Sequence, residues 1–259
     1  MTSDLEKAWR RAAALAPEHT LALPFAGERV AVIGTGLAAG VARAYAALRE
    51  DAAHGPTDAP APDDAPHRAY DRTILVSRSG EEPAVIELVE WLRSEAILAI
   101  AIGAPPGSRL DELAGVTVPL AAVDGVGGPE AAHALTAFAV LRNHLLAETA
   151  AADAAKAARA AIPDASGVER WVFVGRRWTL GLAETAARAC RRRAADAVAG
   201  SPSELTAGDL GHVGPATLVW WFDAADEVPF DDDAPATRTA VLDPVSELVL
   251  ALRLADSLG

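Results

Sequence analysis

The sequence predicts an α/β protein in which parallel sheets are covered by helices on both faces. Short apolar runs rich in β-branched residues alternate with helical segments along the chain. Parallel strands that are buried on both faces read as such continuous apolar runs. A strand, a glycine and a helix follow one another at residues 30–50 and again at 171–195, which looks like a degenerate duplication. A chain of 259 residues is long enough to bury a sizeable core.

The first half begins with an amphipathic helix over residues 4–15, with Ser3 or Asp4 as its cap. The elements predicted after it are a strand at 28–34, a helix to about 51, a strand at 72–77, a helix from 83, strands at 96–103 and 116–122, and a long helix over 129–161. Proline, alanine and aspartate fill residues 54–67, a composition that cannot pack and therefore predicts a loop.

The second half restarts the pattern after Pro163. Its predicted elements are a strand at 169–175, a helix over 176–194, strands at 216–222 and 237–242, and a closing helix at 244–258. This copy is shorter than the first by one strand–helix unit. We therefore predict a first subdomain over 1–150, a helical linker over 151–168 and a second, shortened subdomain over 169–259.

Charge and composition exclude several classes of partner. Acidic residues outnumber basic ones by 36 to 23, for a net charge of −13, which repels nucleic acid and anionic membranes. An anionic ligand would need local help from backbone N–H groups or a helix end. No apolar run is long enough to span a bilayer, and the N-terminus lacks the apolar stretch of a signal peptide. These features predict a cytoplasmic protein.

Metal and redox chemistry have little support in the sequence. The only cysteine, Cys190, lies in an apolar helical stretch and is predicted to be a core residue, so there is no intramolecular disulfide. His133 and His144 have no acidic or cysteine partner at ligand spacing. The acidic run 231–233 lies in a predicted loop. We expect no metal and no cofactor.

The stretch TILVSRSGEEP carries the clearest sign of a ligand site. A buried strand ends in Ser77, Ser79 and Gly80 and continues into a helix N-terminus. Two hydroxyls and several free N–H groups therefore meet at the carboxyl edge of a parallel sheet, where open α/β folds bind ligands. Gly80 lets the backbone approach an anion closely. The alternative is an ordinary capped turn, because serine and glycine are common in turns.

A family resemblance follows from these residues. The pattern S-R-S-G-E-x-P-x-V-I-E at 77–87 resembles the phosphosugar-binding signature of the sugar isomerase (SIS) domain family. VIGTG at 32–36 is similar to that family's first strand and turn, and VGR at 174–176 to the start of its second unit. SELTAGDLGHVGP at 203–215 resembles its Gly-Glu-Leu-Lys-His-Gly-Pro loop, and residues 242–259 its closing helix.

The resemblance implies a doubly wound, flavodoxin-like fold in tandem and a sugar phosphate as ligand. The residues that it assigns to the ligand are Gly34, Thr35, Gly36, Ser77, Arg78, Ser79, Gly80 and Glu82. It also implies that a carboxylate, Glu204 or Asp196, moves a proton between two sugar carbons while His212 assists ring opening. A carboxylate suits that task when its pKa is raised towards neutrality.

Three departures from the family pattern bear on activity. Glu82 stands where the family often has threonine or serine, and its charge would repel a phosphate unless it turned away or capped the helix. Arg191 stands at the position of the family's catalytic carboxylate. The only lysines, Lys7 and Lys156, are far from the position of the family's C-terminal lysine. From the sequence we favour an aldose–ketose phosphosugar isomerase or a related amino-sugar phosphate enzyme. The alternative is a catalytically silent sugar-phosphate sensor or binding subunit.

Weaker features allow further interpretations. GTGLAAG at 34–40 also fits a variant dinucleotide loop, but the acidic residue expected after a second strand is missing. The arginine run 191–193 is more typical of a solvated face than of a phosphate contact. Trp220, Trp221 and Leu250 look like apolar side chains that need cover, which predicts a homodimer.

Overall fold

A computed structural model describes residues 4–20, 22–65, 70–120, 128–147, 157, 159–193, 195–223, 236–238 and 243–258. Several predicted features lie outside these residues: the Ser3 cap, Lys156, the acidic run 231–233 and the strand residues 239–242. Residues 151–156 and 158 of the predicted linker lie outside them as well. The division into subdomains therefore stays a prediction.

The first half contains a parallel sheet of five strands. These are β1 (Val30–Gly34), β2 (Thr57–Asp58), β3 (Arg72–Val76), β4 (Ala99–Ile102) and β5 (Val116–Val118). Its helices are α1 (Asp4–Glu18), α2 (Ala38–Asp51), α3 (Pro83–Ser94), α4 (Arg109–Leu113) and α5 (Pro129–Leu146). The spatial order β2-β1-β3-β4-β5 is that of flavodoxin-like folds, whose ligands bind where the strand order reverses, between β1 and β3.

Within its described residues, the second half repeats this arrangement with one strand fewer. Its strands are β6 (Arg170–Val174), β7 (Asp196–Gly200), β8 (Thr217–Trp221) and β9 (Ala236–Arg238). Its helices are α6 (Trp178–Arg191), α7 (Pro202–Ala207) and α8 (Pro244–Ser257). The parallel order β7-β6-β8-β9 matches the order β2-β1-β3-β4 of the first sheet. The predicted fold class is confirmed.

Some elements were not predicted from the sequence. Residues 57–58 lie in the stretch predicted to be a loop, but they pair in parallel with Val30 and Ala31 as an edge strand. Strand β7 and helices α4 and α7 fall in segments to which the sequence analysis assigned no element. All of them are short, so local propensity gives a weak signal and tertiary packing decides their conformation.

Two glycines bring the halves of the molecule together. A Cβ placed on Gly40 of α2 would lie 2.7 Å from the carbonyl oxygen of Gly181, and one placed on Gly181 of α6 would lie 2.4 Å from that of Gly40. The helices therefore cross with their backbones in contact. Arg43 of α2 forms an ion pair with Glu184 of α6 beside this crossing. Gly40 is the last glycine of the variant dinucleotide motif, and here it serves helix packing.

Helices α2 and α6 run antiparallel. Arg177, at the start of α6, forms an ion pair with Asp51 at the end of α2, at 2.8 Å. Arg188, near the end of α6, donates a hydrogen bond to the carbonyl oxygen of Gly36 at the start of α2. Because each helix starts at the carboxyl edge of its own sheet, the carboxyl edges of the two sheets lie at opposite ends of the molecule.

The core includes three apolar side chains that were expected to need cover from a second copy of the chain. Trp220, Trp221 and Leu250 are at most 2 % exposed within the single chain. The apolar surface that was expected to need a second copy is therefore already covered, and the homodimer stays a prediction without that support. Cys190 is buried as predicted, and burial raises the pKa of its thiol to about 12. Within the described ranges no helix is long and apolar enough to cross a membrane.

Candidate functional site

The candidate site lies at the carboxyl ends of β1 and β3, the neighbouring strands between which the strand order reverses. Gly34, the last residue of β1, pairs with Val76, the last residue of β3. Thr35 and Ser77 follow these residues directly, so the two hydroxyl groups emerge side by side. Ser79 lies two residues farther along the same turn. We call Thr35, Ser77 and Ser79 the hydroxyl cradle.

The carboxylate of Glu82 occupies the hydroxyl cradle. Ser77 Oγ donates to Glu82 Oε2 at 2.5 Å, and Thr35 Oγ1 donates to Glu82 Oε1 at 3.3 Å. Glu82 is the N-cap residue of α3, but its side chain makes no capping hydrogen bond. It therefore neither turns away from the site nor caps the helix, the two alternatives that the sequence left open.

The cradle holds the Glu82 carboxylate in its ionised form. Burial alone would raise the pKa of Glu82, but hydrogen bonds from Ser77, its own backbone N–H, Ser79 and Thr35 together bring it below its ordinary value of 4.5. Hydrogen bonds to a charged group favour that charged form. The cradle is therefore an anion receptor, and here the anion belongs to the protein.

The turn between β3 and α3 needs glycine at position 80. Gly80 has a φ of +69°, and a Cβ placed on it would lie 2.3 Å from Ser108 Oγ. Its N–H donates to Ser77 Oγ at 2.8 Å. The carbonyl oxygen of Gly80 accepts from the N–H of Leu110 in α4 at 3.0 Å. The backbone of the turn is thus hydrogen-bonded to α4. This contact and the Gly80 N–H together hold the Ser77 hydroxyl in position.

A second carboxylate, that of Glu130, accepts a hydrogen bond from the N-terminus of α2. Leu37 N–H donates to Glu130 Oε1 at 2.9 Å, and Arg192 forms an ion pair with the same carboxylate. A Cβ placed on Gly36 would lie 2.1 Å from Glu130 Oε1, so the glycine makes room for the acid. Burial would raise the pKa of Glu130, but Arg192 and the Leu37 N–H outweigh it and lower that pKa.

The cradle opens into a cavity of about 300 Å³. Thr35, Ser79 and Glu82 line it from one side, and Arg78, Glu130, His133 and Arg192 from the others. A neighbouring cavity of about 370 Å³ shares Arg78, Glu130 and Arg192 with it. Arg78 is exposed and forms no hydrogen bond or ion pair within the part of the chain that the structure describes. Its guanidinium is therefore available to an anionic ligand.

His133 forms one wall of the cavity. A Cβ placed on Gly103, at the end of β4, would lie 1.9 Å from His133 Nε2, so the imidazole rests on the backbone of that residue. Burial is the main cause that lowers the pKa of His133, and the charge of Arg78 adds to it. The imidazole is therefore neutral at pH 7. Within the described residues, no group of three or more acidic, histidine or cysteine side chains is placed to hold a metal ion.

The three residues predicted to be catalytic do not line this cavity. Glu204 follows the carboxyl end of β7, at the opposite end of the molecule, and forms a capping box with Ser201. Asp196 begins β7 and forms an ion pair with Arg170 at 2.5 Å. His212 is exposed in the loop after α7. Their catalytic role stays a prediction.

Four residues of the site were not found by sequence reasoning. They are Glu130 and His133 on α5 and Arg188 and Arg192 at the end of α6. The arginine run 191–193 is exposed, as predicted, yet Arg192 reaches the cavity, Arg191 donates to the carbonyl oxygen of Ala197 and Arg193 pairs with Asp256. No local pattern marks these side chains, because the packing of α5 and α6 on α2 brings them to the cradle.

Comparisons with known proteins show a shared fold but no related sequence. No protein-family model matches the chain, and no curated protein matches its sequence significantly. Solved structures do match over nearly the whole chain. Glucosamine-6-phosphate deaminase from Thermotoga maritima is 13% identical, with a TM-score of 0.76, over 98% of this chain and 92% of that one.

Two further structures agree with this match. The C-terminal domain of glucosamine-fructose-6-phosphate aminotransferase from Francisella tularensis is 15% identical, with a TM-score of 0.67, over 98% of this chain and 94% of that one. Tagatose-6-phosphate ketose/aldose isomerase from Escherichia coli has the same identity and TM-score, over 98% of this chain and 88% of that one. The chain shares its fold with these SIS-type proteins.

Proposed function

We propose that this protein binds a sugar phosphate at the carboxyl edge of its first sheet, with the phosphate in the hydroxyl cradle. The observation that carries the proposal is the set of hydroxyl groups from Thr35, Ser77 and Ser79 that stabilises one carboxylate. A phosphate presents the same kind of acceptor oxygens with more charge. Arg78 and Arg192 at the rim supply positive charge against the acidic background of the chain.

A hexose 6-phosphate is the ligand class that we favour. The matched proteins are named for glucosamine 6-phosphate, fructose 6-phosphate and tagatose 6-phosphate. The cavity of about 300 Å³ beside the cradle is at the lower end of the size of small-molecule pockets. A sugar ring would lie there, between Arg78 and His133.

The proposal is tested by thermal unfolding with fructose 6-phosphate and glucosamine 6-phosphate. A ligand that binds only the native state adds about 2.7 kcal/mol of stability at a hundredfold excess over its Kd. We expect these compounds to raise the Tm, and unphosphorylated fructose and NADH to leave it unchanged. No shift with any sugar phosphate at millimolar concentration would refute the proposal. A shift with NADH would support the dinucleotide alternative instead.

We infer that the protein binds its ligand without catalysing a reaction, and that it is not an isomerase. Proton transfer between sugar carbons needs a base near the substrate with a pKa close to neutrality. The cavity carboxylate of Glu130 has a lowered pKa, because Arg192 and the N–H of Leu37 outweigh the effect of burial. The pKa of Glu204 is also lowered, first by the N–H of Ser201. Arg191 stands where the resemblance expects a carboxylate.

Hydrogen exchange at the sugar separates the two functions. An aldose–ketose isomerase that removes a proton from carbon incorporates deuterium from D2O into its product. We expect fructose 6-phosphate to bind without such incorporation when it is followed by proton NMR. Deuterium at C1 or C2 above the level of a protein-free control would support the isomerase and identify a base that the cavity provides.

A further inference from the structure

We infer that Glu82 is an internal competitor for the phosphate: its carboxylate closes the cradle of the ligand-free protein, and a phosphorylated ligand binds only by displacing it. This inference rests on the proposed function, and it concerns what controls affinity at that site. It assigns to Glu82 a role that a merely neighbouring charge would not have, because the carboxylate uses the hydrogen bonds that the ligand needs.

The direction of the hydrogen bonds supports competition. A serine or threonine hydroxyl has a single proton to donate. Ser77 Oγ accepts from the N–H of Gly80 at 2.8 Å and donates its proton to Glu82 Oε2 at 2.5 Å. Thr35 Oγ1 directs its proton to the other oxygen of the same carboxylate at 3.3 Å. While Glu82 stays in place, neither hydroxyl can donate to a phosphate.

Charge and space exclude joint occupancy as well. A phosphate oxygen at hydrogen-bond distance from Ser77 Oγ would lie within a few ångströms of the Glu82 carboxylate. Like charges at that separation repel strongly in a half-buried site. Glu82 is partly exposed and lines the open cavity, so its side chain has room to rotate outward. Arg78 lines the same cavity, and its guanidinium can meet the displaced carboxylate.

The inference predicts opposite effects on the empty and the occupied protein. Removing the carboxylate should lower the stability of the ligand-free protein, because the cradle loses its internal anion. It should raise the affinity for phosphate, because nothing then has to be displaced. A charge that acted only through space would leave the ligand-free protein unchanged, and its effect on affinity would fade as salt is added.

The test is calorimetric titration of Glu82→Ala with inorganic phosphate and with fructose 6-phosphate, at low and high ionic strength. We expect both ligands to bind about tenfold or more tightly than they bind the parent, since at least one charge-assisted hydrogen bond is released, and the gain should persist at high salt. Glu87→Ala removes an exposed carboxylate from the same helix and should bind like the parent. Glu82→Thr, which places a hydroxyl there, is the second variant should the alanine protein fold poorly.

The outcomes separate this inference from the proposed function. If the parent binds fructose 6-phosphate and neither Glu82 variant binds it more tightly, Glu82 is not a competitor and the function stands. If a Glu82 variant gains affinity for inorganic phosphate but no protein binds a sugar phosphate, the competitor stands and the function falls. If the variants gain affinity only at low salt, Glu82 acts as a distant charge, which overturns the inference.

Discussion

The two carboxyl edges of this molecule have the same backbone plan and different chemistry. Gly34 ends β1 and Gly175 follows β6, and a Cβ on either would lie within 2.5 Å of the carbonyl oxygen of the fourth residue after it. Two residues beyond each glycine the backbone has a positive φ, +56° at Gly36 and +47° at Arg177. The turn that leads into α2 is therefore repeated before α6, although only the first retains a glycine there.

At the second carboxyl edge, the carboxylate of Asp223 accepts hydrogen bonds from the start of α6. Asp223 follows β8 at the place where Ser77 follows β3, once Gly34 and Gly175 are aligned. Its Oδ2 accepts from the N–H of Arg176 at 3.1 Å and from Thr179 Oγ1 at 2.5 Å. The start of α6 thus has a fixed anion of its own. In the first edge the anion is the longer side chain of Glu82, which lies beside an open cavity.

The comparison shows that two edges with the same backbone plan can differ in which side chains follow the strands, and that only the first edge has the hydroxyl cradle. The hydroxyls remain at the first edge, whereas at the second a carboxylate replaces the strand-end serine. The arginines of α6 then serve the first edge, because the antiparallel crossing places Arg188 and Arg192 beside Gly36 and Glu130.

The largest effect is expected at the crossing that joins the two edges. Gly181→Ala places a Cβ 2.4 Å from the carbonyl oxygen of Gly40 and 2.5 Å from the N–H nitrogen of Ala44, and backbone atoms cannot yield as side chains do. We expect the free energy of unfolding to fall by about 2–3 kcal/mol, as for overpacked cores. Urea denaturation measures this loss. Gly208→Ala, with a φ of +79° but open space around it, is the control and should cost only about 1 kcal/mol.

The next effect compares one hydroxyl from each edge. Ser79→Ala removes a hydrogen bond to the phosphate and should weaken sugar-phosphate binding by about ten- to a hundredfold, with little loss of folding stability. Thr179→Ala makes the matching change at the second edge and should leave binding unchanged. Calorimetric titration of both variants checks the pair. Equal binding by Ser79→Ala and the parent would mean that the ligand is held elsewhere and that the S-R-S-G motif is only a well-capped turn.

A smaller effect is expected when the second edge is opened. Asp223→Ala removes the charged acceptor of the Arg176 N–H and the Thr179 hydroxyl, which keep their hydrogen bonds to Thr179 Oγ1 and the Arg176 carbonyl oxygen, and it removes an anion from the start of α6. The free energy of unfolding should fall by about 1–2 kcal/mol, while sugar-phosphate affinity stays the same. Urea denaturation and titration of the same sample measure both. A change in affinity would show that the two edges communicate through α6.

The smallest effect is expected in how the free energy of unfolding decreases at acid pH. The folded-state pKa values of Glu82 and Glu130 lie below their ordinary value of 4.5, so each carboxylate stabilises the fold above pH 4.5. That contribution is lost as the pH falls below 4.5 through the folded-state pKa. Glu82→Gln should therefore lose less stability than the parent over this range when urea midpoints are measured against pH. Parallel curves would show that the cradle does not hold the ionised form.

The sequence allowed much of the fold to be predicted, for reasons that are local. Continuous apolar runs identified β1, β3, β6 and β8, because strands buried on both faces consist mostly of apolar residues. Strand β7, with the sequence DAVAG, was missed because alanine and glycine give little strand signal. The serines and glycine of the S-R-S-G turn were recognised because glycine is needed where φ is positive.

By itself, the sequence determined the parallel α/β class, the repeated strand–glycine–helix turn and the two hydroxyls of Ser77 and Ser79 at a strand end. These depend on residues close together in the chain, where periodicity and turn chemistry act. Only the tertiary structure decided that Glu82 fills the cradle, that Glu130 and Arg192 close the start of α2, and that Trp220 is buried within the chain. Contacts of this kind join side chains that lie on different helices and strands, and close packing rather than local propensity sets which of them meet.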